Sequence, residues 1–164
     1  MAADAPDKPI VTENAAEFSA ALPDGGVLLG LDLGTKTIGT ALCDAGWSFA
    51  TAGKTLPKGK FTRDKAALEE LCRARNVAGI VIGLPLNMDG SAGPRAQASR
   101  AFARNLAIMG LPILLWDERW STTSAERDMI AQDMSRGKRA ERIDSHAAAV
   151  ILQGAIDRLA GGMF

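Results

Sequence analysis

Tyrosine is absent from the 164 residues, and aromatic side chains make up only 5% of them. A core has to be built from Ala, Leu, Ile and Val, and few platforms remain for stacking single-stranded bases. Histidine occurs once and cysteine twice. With no CxxC spacing and no His near either thiol, Cys43 and Cys72 read as buried free thiols, not as a disulfide or a zinc site, and a reduced compartment suits them. No apolar run approaches the roughly 20 residues of a membrane span. The N-terminus carries acids where a signal peptide needs bases followed by an apolar stretch, so the expected location is the cytoplasm, with no membrane partner.

What is present is an ordinary globular composition, 47% hydrophobic and 23% charged, of a size for one domain with a real core. The formal charge of zero hides an asymmetry. Residues 1–26 hold five acids (Asp4, Asp7, Glu13, Glu17, Asp24) and one base (Lys8), which leaves 18 bases against 14 acids in the remainder. Two segments follow from this: an acidic, flexible leader over 1–26, in which Ala15 to Leu22 can form one short helix before Pro23, and a mildly basic folded domain over 27–164. That balance permits a nucleic-acid partner without demanding one.

The stretch Val27 to Leu42 (VLLGLDLGTKTIGTAL) organises the domain. Val27 to Leu33 is short, branched and bounded by glycines, which predicts a buried strand with Asp32 at its C-terminal end. A carboxylate there is costly to bury without a cation or donors, and open α/β sheets bind ligands at the ends of their central strands. Gly34-Thr35-Lys36 makes a tight turn, and Thr37 to Cys43 returns antiparallel. The plainer reading is that Asp32 is a turn residue accepting hydrogen bonds from the amides of Gly34 and Thr35. A strand, Asp, Gly, Thr and a second strand also form the phosphate hairpin of the actin and sugar-kinase superfamily. Those proteins need two large lobes, for which this chain is too short.

Further along, Trp47 to Thr55 is expected to add a third antiparallel strand. Phe61 to Arg75 reads as a surface helix with Thr62 available as N-cap and with Asp64 largely on the polar side. Val77 to Leu84 (VAGIVIGL) has the unbroken apolarity of a central strand. Pro85 to Gly93 is a loop, and Pro94 opens a helix to about Met109 with Ala98, Ala101, Phe102, Leu106 and Met109 as its buried stripe. Pro112 to Trp116 is the last strand and delivers Asp117-Glu118-Arg119 at its end. Ser121-Thr122-Thr123 before Glu126 starts a helix to about Met134. Arg136 to Arg142 (RGKRAER) is a basic connector, and Ile143 to Leu159 is the final helix, with Asp144 in its first turn. The expected fold is α/β: a five-stranded mixed sheet, made of an antiparallel three-stranded meander plus two parallel strands, flanked by helices.

This order brings Asp32, Glu118 and Asp144 to one edge of the sheet. Carboxylates so placed repel and desolvate one another, which a divalent cation relieves, and an oxygen-only donor set suits Mg²⁺ or Mn²⁺, as one ion or two. A pair of such ions can activate a water on one side of a phosphodiester and stabilise the leaving oxygen on the other. Lys36, Arg119 and the cluster containing Lys138, Arg139 and Arg142 are candidate phosphate contacts, as are Ser121 and Thr122 next to the last strand. Each residue also has a plainer role. Glu118 suits pairing with Arg119 or capping the next helix, and a one-residue shift of register exchanges it with Asp117. Asp144 is favoured by a helix dipole with or without a metal. RGKRAER suits a solvated connector, and His146 a partly buried helix position.

Taken together, GLDLGTKTIGTAL, VIGLPLNMDGS, WDERWSTTSAE and IDSHAAAVILQ resemble the YqgF family, also called RuvX or Holliday-junction-resolvase-like, whose members are RNase H-like proteins regarded as nucleases of pre-16S rRNA. The motifs occur in the family's order and span nearly all of the chain from Val27 onward. The resemblance implies an RNase H-like domain with Asp32, Glu118 and Asp144 as catalytic and metal-binding residues, and suggests Asn87, in a loop bordering the substrate groove, as a contact. It also implies a partner that is structured RNA (pre-16S rRNA, within or outside a ribosomal particle) or branched DNA, bound by a monomer or homodimer. Three positions depart from the family's pattern: Thr37 where Arg often follows the turn lysine, Trp120 where Leu is usual, and His146. None of them belongs to the acid set.

Overall fold

The apolar runs read as strands do form strands. In the computed structural model, which describes residues 10–23, 25–120 and 136–161, β2 (Val27–Leu33), β3 (Thr37–Cys43) and β4 (Ala50–Pro57) make the antiparallel meander. β5 (Val77–Leu84) joins β2 in parallel, and β6 (Ile113–Asp117) joins β5 in parallel. Helices α2 (Phe61–Arg75) and α3 (Pro94–Leu106) carry the crossovers, and α4 (Arg136–Gly161) is the last element. No described helix is long and apolar enough to cross a membrane.

The sheet has six strands where five were expected. The extra one, β1 (Val11–Thr12), comes from the stretch read as a leader and pairs parallel with β6, giving the order β1-β6-β5-β2-β3-β4. Helix α1 (Ala15–Ala21) follows, its N-terminus capped by the Asn14 side chain at 3.1 Å from the Glu17 amide, and it buries Phe18 completely. From Ile10 onward this part of the leader is therefore integral to the fold. Two strand residues are too few to register as a pattern, and a lone Phe in a polar helix gives little sign of its burial.

Each face of the sheet has its own core. On one face α2 and α3 cover Leu29, Leu31, Leu33, Ile80, Ile82 and Leu84 with Leu68, Phe102 and Leu106; Phe61 meets Phe102 edge to face at 5.3 Å. On the other, α4 lays Ala148, Ile151, Leu152 and Ala155 against Leu28, Val81, Leu114 and Trp116, with Phe18 alongside. Both cysteines are free and buried. Burial, helped by the nearby Glu69, pushes the Cys72 thiol up to about 11.

Several expected boundaries shift. β4 begins at Ala50, not Trp47, because the Asp44 carboxylate accepts the amides of Gly46, Ser48 and Phe49 at 2.7–3.1 Å and holds these residues as a turn. α2 is preceded by Lys60 at its N-cap position, not Thr62, without a side-chain cap. Asp64 is buried there, accepting the Gly59 amide at 3.1 Å. The buried stripe of α3 is Ala96, Ser99, Phe102, Ala103 and Leu106, rotated from the expected one because Ala carries little hydrophobic signal on either side of a helix. RGKRAER is not a connector but the first two turns of α4, consistent with the high helix propensity of Arg, Lys, Ala and Glu. Asp144 thus lies inside the helix and not in its first turn, so a dipole role for it lapses. The helix expected from Ser121 to Met134 lies outside the described residues.

Candidate active site

β2, β4, β5 and β6 all run the same way, so their C-terminal ends share one edge of the sheet. Asp32 stands there, 3% exposed. Along its row, Asp32 pairs with Gly39 on β3, and Gly39 with Thr55 on β4. On the other side Leu31 pairs with Ile82, so the next position in register sets Asp32 beside Gly83. A carboxylate therefore stands in a row whose immediate neighbours on both sides are glycines.

Alternation fixes the face. A Cβ added at Gly30 would lie 2.8 Å from the Leu152 Cβ, and one at Gly83 would lie 2.6 Å from the Ile151 Cδ1, so Gly30, Asp32 and Gly83 all face α4. Glu118, in a 3-10 turn directly after β6, reaches back over the same glycine: its Oε2 would be 2.9 Å from a Gly83 Cβ. The half-buried Glu118 thus lies on Asp32's side of the sheet, one strand away. Asp117, its rival by one residue, is engaged elsewhere. It accepts Arg119 Nη2 at 2.7 Å, Arg119 Nε at 3.1 Å and the Arg119 amide at 2.9 Å. Burial raises the Asp117 carboxyl, but the hydrogen bonds and charge of Arg119 outweigh it and hold the group below the usual carboxylate range.

α4 approaches from the far end of the row. The Ser145 hydroxyl hydrogen bonds the Thr55 hydroxyl, while Ala148 and Leu152 lie against Gly30. The helix backbone at residues 144–145 therefore stands level with Asp32, although the side chain of Asp144 lies outside the described part of the structure. Among the described residues no three His, Cys, Asp or Glu side chains group closely enough to hold a metal; two of the three expected acids are described. The chemistry of those two fits a hard cation, since both are oxygen donors.

The expected nucleic-acid contacts disperse. Lys36 is exposed at the turn after β2. Asn87 is used within its own loop, its Nδ2 donating to Ser91 Oγ at 2.9 Å and its carbonyl accepting the Gly90 amide at 2.8 Å. Arg119, besides holding Asp117, donates to the Met88 carbonyl at 3.3 Å, so it fastens the Pro85–Gly93 loop to the end of β6. Lys138, Arg139 and Arg142 lie on the first turns of α4 with their side chains outside the described part of the structure, and Ser121 and Thr122 lie outside the described residues.

Sequence reading missed the glycine floor and a set of cations at the same edge. Lys58 Nζ donates to the Gly34 carbonyl at 3.1 Å, and Arg95 Nη2 to the Leu33 carbonyl at 3.3 Å. Lys60 and Arg63 are exposed nearby at the start of α2. The signal in the sequence is the Lys58-Gly59-Lys60 run, which directly follows β4.

A family model described as "RuvX: Holliday junction resolvase" matches residues 26–158. A protein of Novosphingobium aromaticivorans named "Putative pre-16S rRNA nuclease" is 65% identical over 155 residues, covering 94% of this chain and all of that one. A protein of the same name from Zymomonas mobilis is 53% identical over 143 residues, covering 87% of this chain and 88% of its own. Among solved structures, Thermus thermophilus RuvC superposes with a TM-score of 0.53 at 13% identity, over 82% of this chain and 96% of RuvC. At that identity the likeness concerns the fold, which is the α/β arrangement described above. With four-fifths of its length matched and relatives this similar along nearly the whole chain, the protein belongs to the RuvX family.

Proposed function

We propose that this protein is a divalent-metal-dependent endonuclease that hydrolyses phosphodiester bonds in precursor 16S rRNA, in the cytoplasm, with Asp32, Glu118 and Asp144 as its catalytic and metal-binding residues. One observation carries the reading: a buried carboxylate between two glycines, with Glu118 bent over one of them. Asp32 is only 3% exposed, and taking a carboxylate out of water costs several kcal/mol that its surroundings must offset. The names of the relatives supply the substrate.

Asp32 is fixed by the sheet register and Glu118 by the turn after β6, so both are presented by rigid elements and not by a mobile loop. Mg²⁺ or Mn²⁺ held by these oxygens would supply a polarised phosphate and a water deprotonated at neutral pH. Glycine at positions 30 and 83 lets α4 and the Glu118 carboxylate come close to the strand row that holds Asp32. Lys36 stands at the turn next to Asp32 as a contact for the flanking phosphate.

The test is cleavage of a precursor 16S 5′ segment, free and within precursor ribosomal particles, with Mg²⁺ or Mn²⁺, by the wild type and by Asp32→Asn at matched folding. Loss of cleavage in the variant and in chelator is expected. Equal cleavage by the variant, or none by the wild type on either substrate, would remove the assignment. A synthetic four-way junction serves as the second substrate, because the family's description names that activity. Paired symmetric cuts on it by a dimer would move the resolvase reading ahead.

A further inference from the structure

The starts of α2 and α3 carry exposed cations, and hydrogen bonds from Lys58 and Arg95 place them at the edge where β2 ends. A helix N-terminus is a positive pole that sequences usually meet with an acid or a polar cap. Here neither helix has a side-chain cap, Lys60 occupies the N-cap position of α2, and Arg63 lies in its first turn. The first turn of α3 holds Arg95 and no acid. The acid of α2's first turn, Asp64, is buried on the Gly59 amide and offers little to solvent.

Three hydrogen bonds tie Lys58 and Arg95 to the turn that follows Asp32. Lys58 Nζ and Arg95 Nη2 donate to the carbonyls of Gly34 and Leu33, the two residues after Asp32, and the Lys58 amide donates to the Lys36 carbonyl at 2.9 Å. Lys36, Lys58, Lys60, Arg63 and Arg95 thus lie on the β2–β3 turn, the β4–α2 connector and two helix starts that these bonds hold at one edge. The opposite rim is different. There Arg119 is held by Asp117 at 2.7 Å, and Asp89 adds a second carboxylate close enough to influence Arg119.

From this asymmetry we infer that the substrate strand leaves the acids across the starts of α2 and α3, its phosphates taken by Lys36, Lys58, Lys60, Arg63 and Arg95. The track accepts a phosphodiester backbone without reading bases, since two helix poles and five cations recognise charge. It rests on the nuclease reading for its substrate. Like charges gathered against like poles cost the free protein, and an incoming polyanion relieves that cost.

The double variant Lys60→Asp/Arg63→Glu tests the track, because acids at these positions suit the helix dipole while repelling phosphate. Binding of a fluorescent single-stranded RNA is measured against salt concentration in the Asp32→Asn background, which keeps the probe intact. The expected result is an affinity about tenfold lower or worse, and a slope of log K against log salt reduced by about 0.7 for each phosphate the variant no longer neutralises. The thermal midpoint should stay unchanged or rise. In the otherwise native chain, KM for cleavage should rise more than kcat falls. An unchanged slope and affinity, with wild-type cleavage intact, would overturn the track and leave the nuclease standing. Absence of RNA binding by both chains and of cleavage by the wild type would remove both. Polyglutamate of matched charge competing as well as RNA would overturn the assignment to a phosphodiester backbone.

Discussion

The two faces of the sheet are built from the same strands to opposite ends. The face under α2 and α3 carries Leu29, Leu31, Leu33, Ile80, Ile82 and Leu84, all buried and large. The face under α4 carries Gly30, Asp32, Gly39 and Gly83 at intervening positions of the same strands and of β3. Glycine lets the α4 backbone approach: the Ala148 carbonyl would lie 3.0 Å from a Cβ at Gly30. One face meets its helices through large side chains, and the other gives up side-chain volume around Asp32 so that α4 and Glu118 come close.

The comparison is broken most severely at Asp32. Asp32→Asn keeps the volume and removes the charge, and cleavage is expected to fall on the order of a thousandfold or more, by analogy with losing one transition-state-stabilising group, while circular dichroism stays native. On the other face, Leu31→Ala should cost about 2–5 kcal/mol in denaturant unfolding, with cleavage per folded molecule unchanged. A parallel fall in specific activity would show that the two faces are not separable.

Gly83→Ala tests both roles of the glycine floor. The new methyl would meet the Ile151 Cδ1 and the Glu118 Oε2, so a loss of about 1–3 kcal/mol is expected from overpacking, along with a fall in cleavage larger than the change in folded fraction explains. A stable, fully active variant would mean that Glu118 does not need its place over Gly83.

The smallest effect lies at the loop clamp. The Asp117 carboxyl is held below its ordinary value, so its contribution to stability is present above the unfolded pKa of about 3.9 and is lost as pH falls through the folded value. Asp117→Asn should therefore be less stable than wild type at neutral pH by at most about 1 kcal/mol, because the pair is partly exposed. That gap should close as pH drops below about 4. A gap that widens in acid would reverse the assignment.

The acids of the candidate site are legible along the chain as candidates, but their surroundings are not. Asp32 stood out because a charge inside VLLGLDL has no local explanation, and Glu118 because a short apolar strand ends just before it. The sequence does not separate Glu118 from Asp117; in the structure Glu118 reaches over Gly83 and Asp117 pairs with Arg119. The charge of Arg119 is visible in the sequence, but its partners Asp117 and the Met88 carbonyl are not. The leader hid β1 and Phe18, whose contacts lie with β6 and α4, far away in the sequence.

The sequence by itself determined the strands and crossovers, the acid at the end of β2 and the family, because hydrophobic periodicity and linear motifs are local properties of the chain. Only the tertiary structure decided which cations meet at the β2 edge, which carboxylate faces α4, and where α4 begins and how close it comes. Those depend on register and on residues meeting across the sheet, and strand periodicity carries the face of each residue but not the identity of its neighbour.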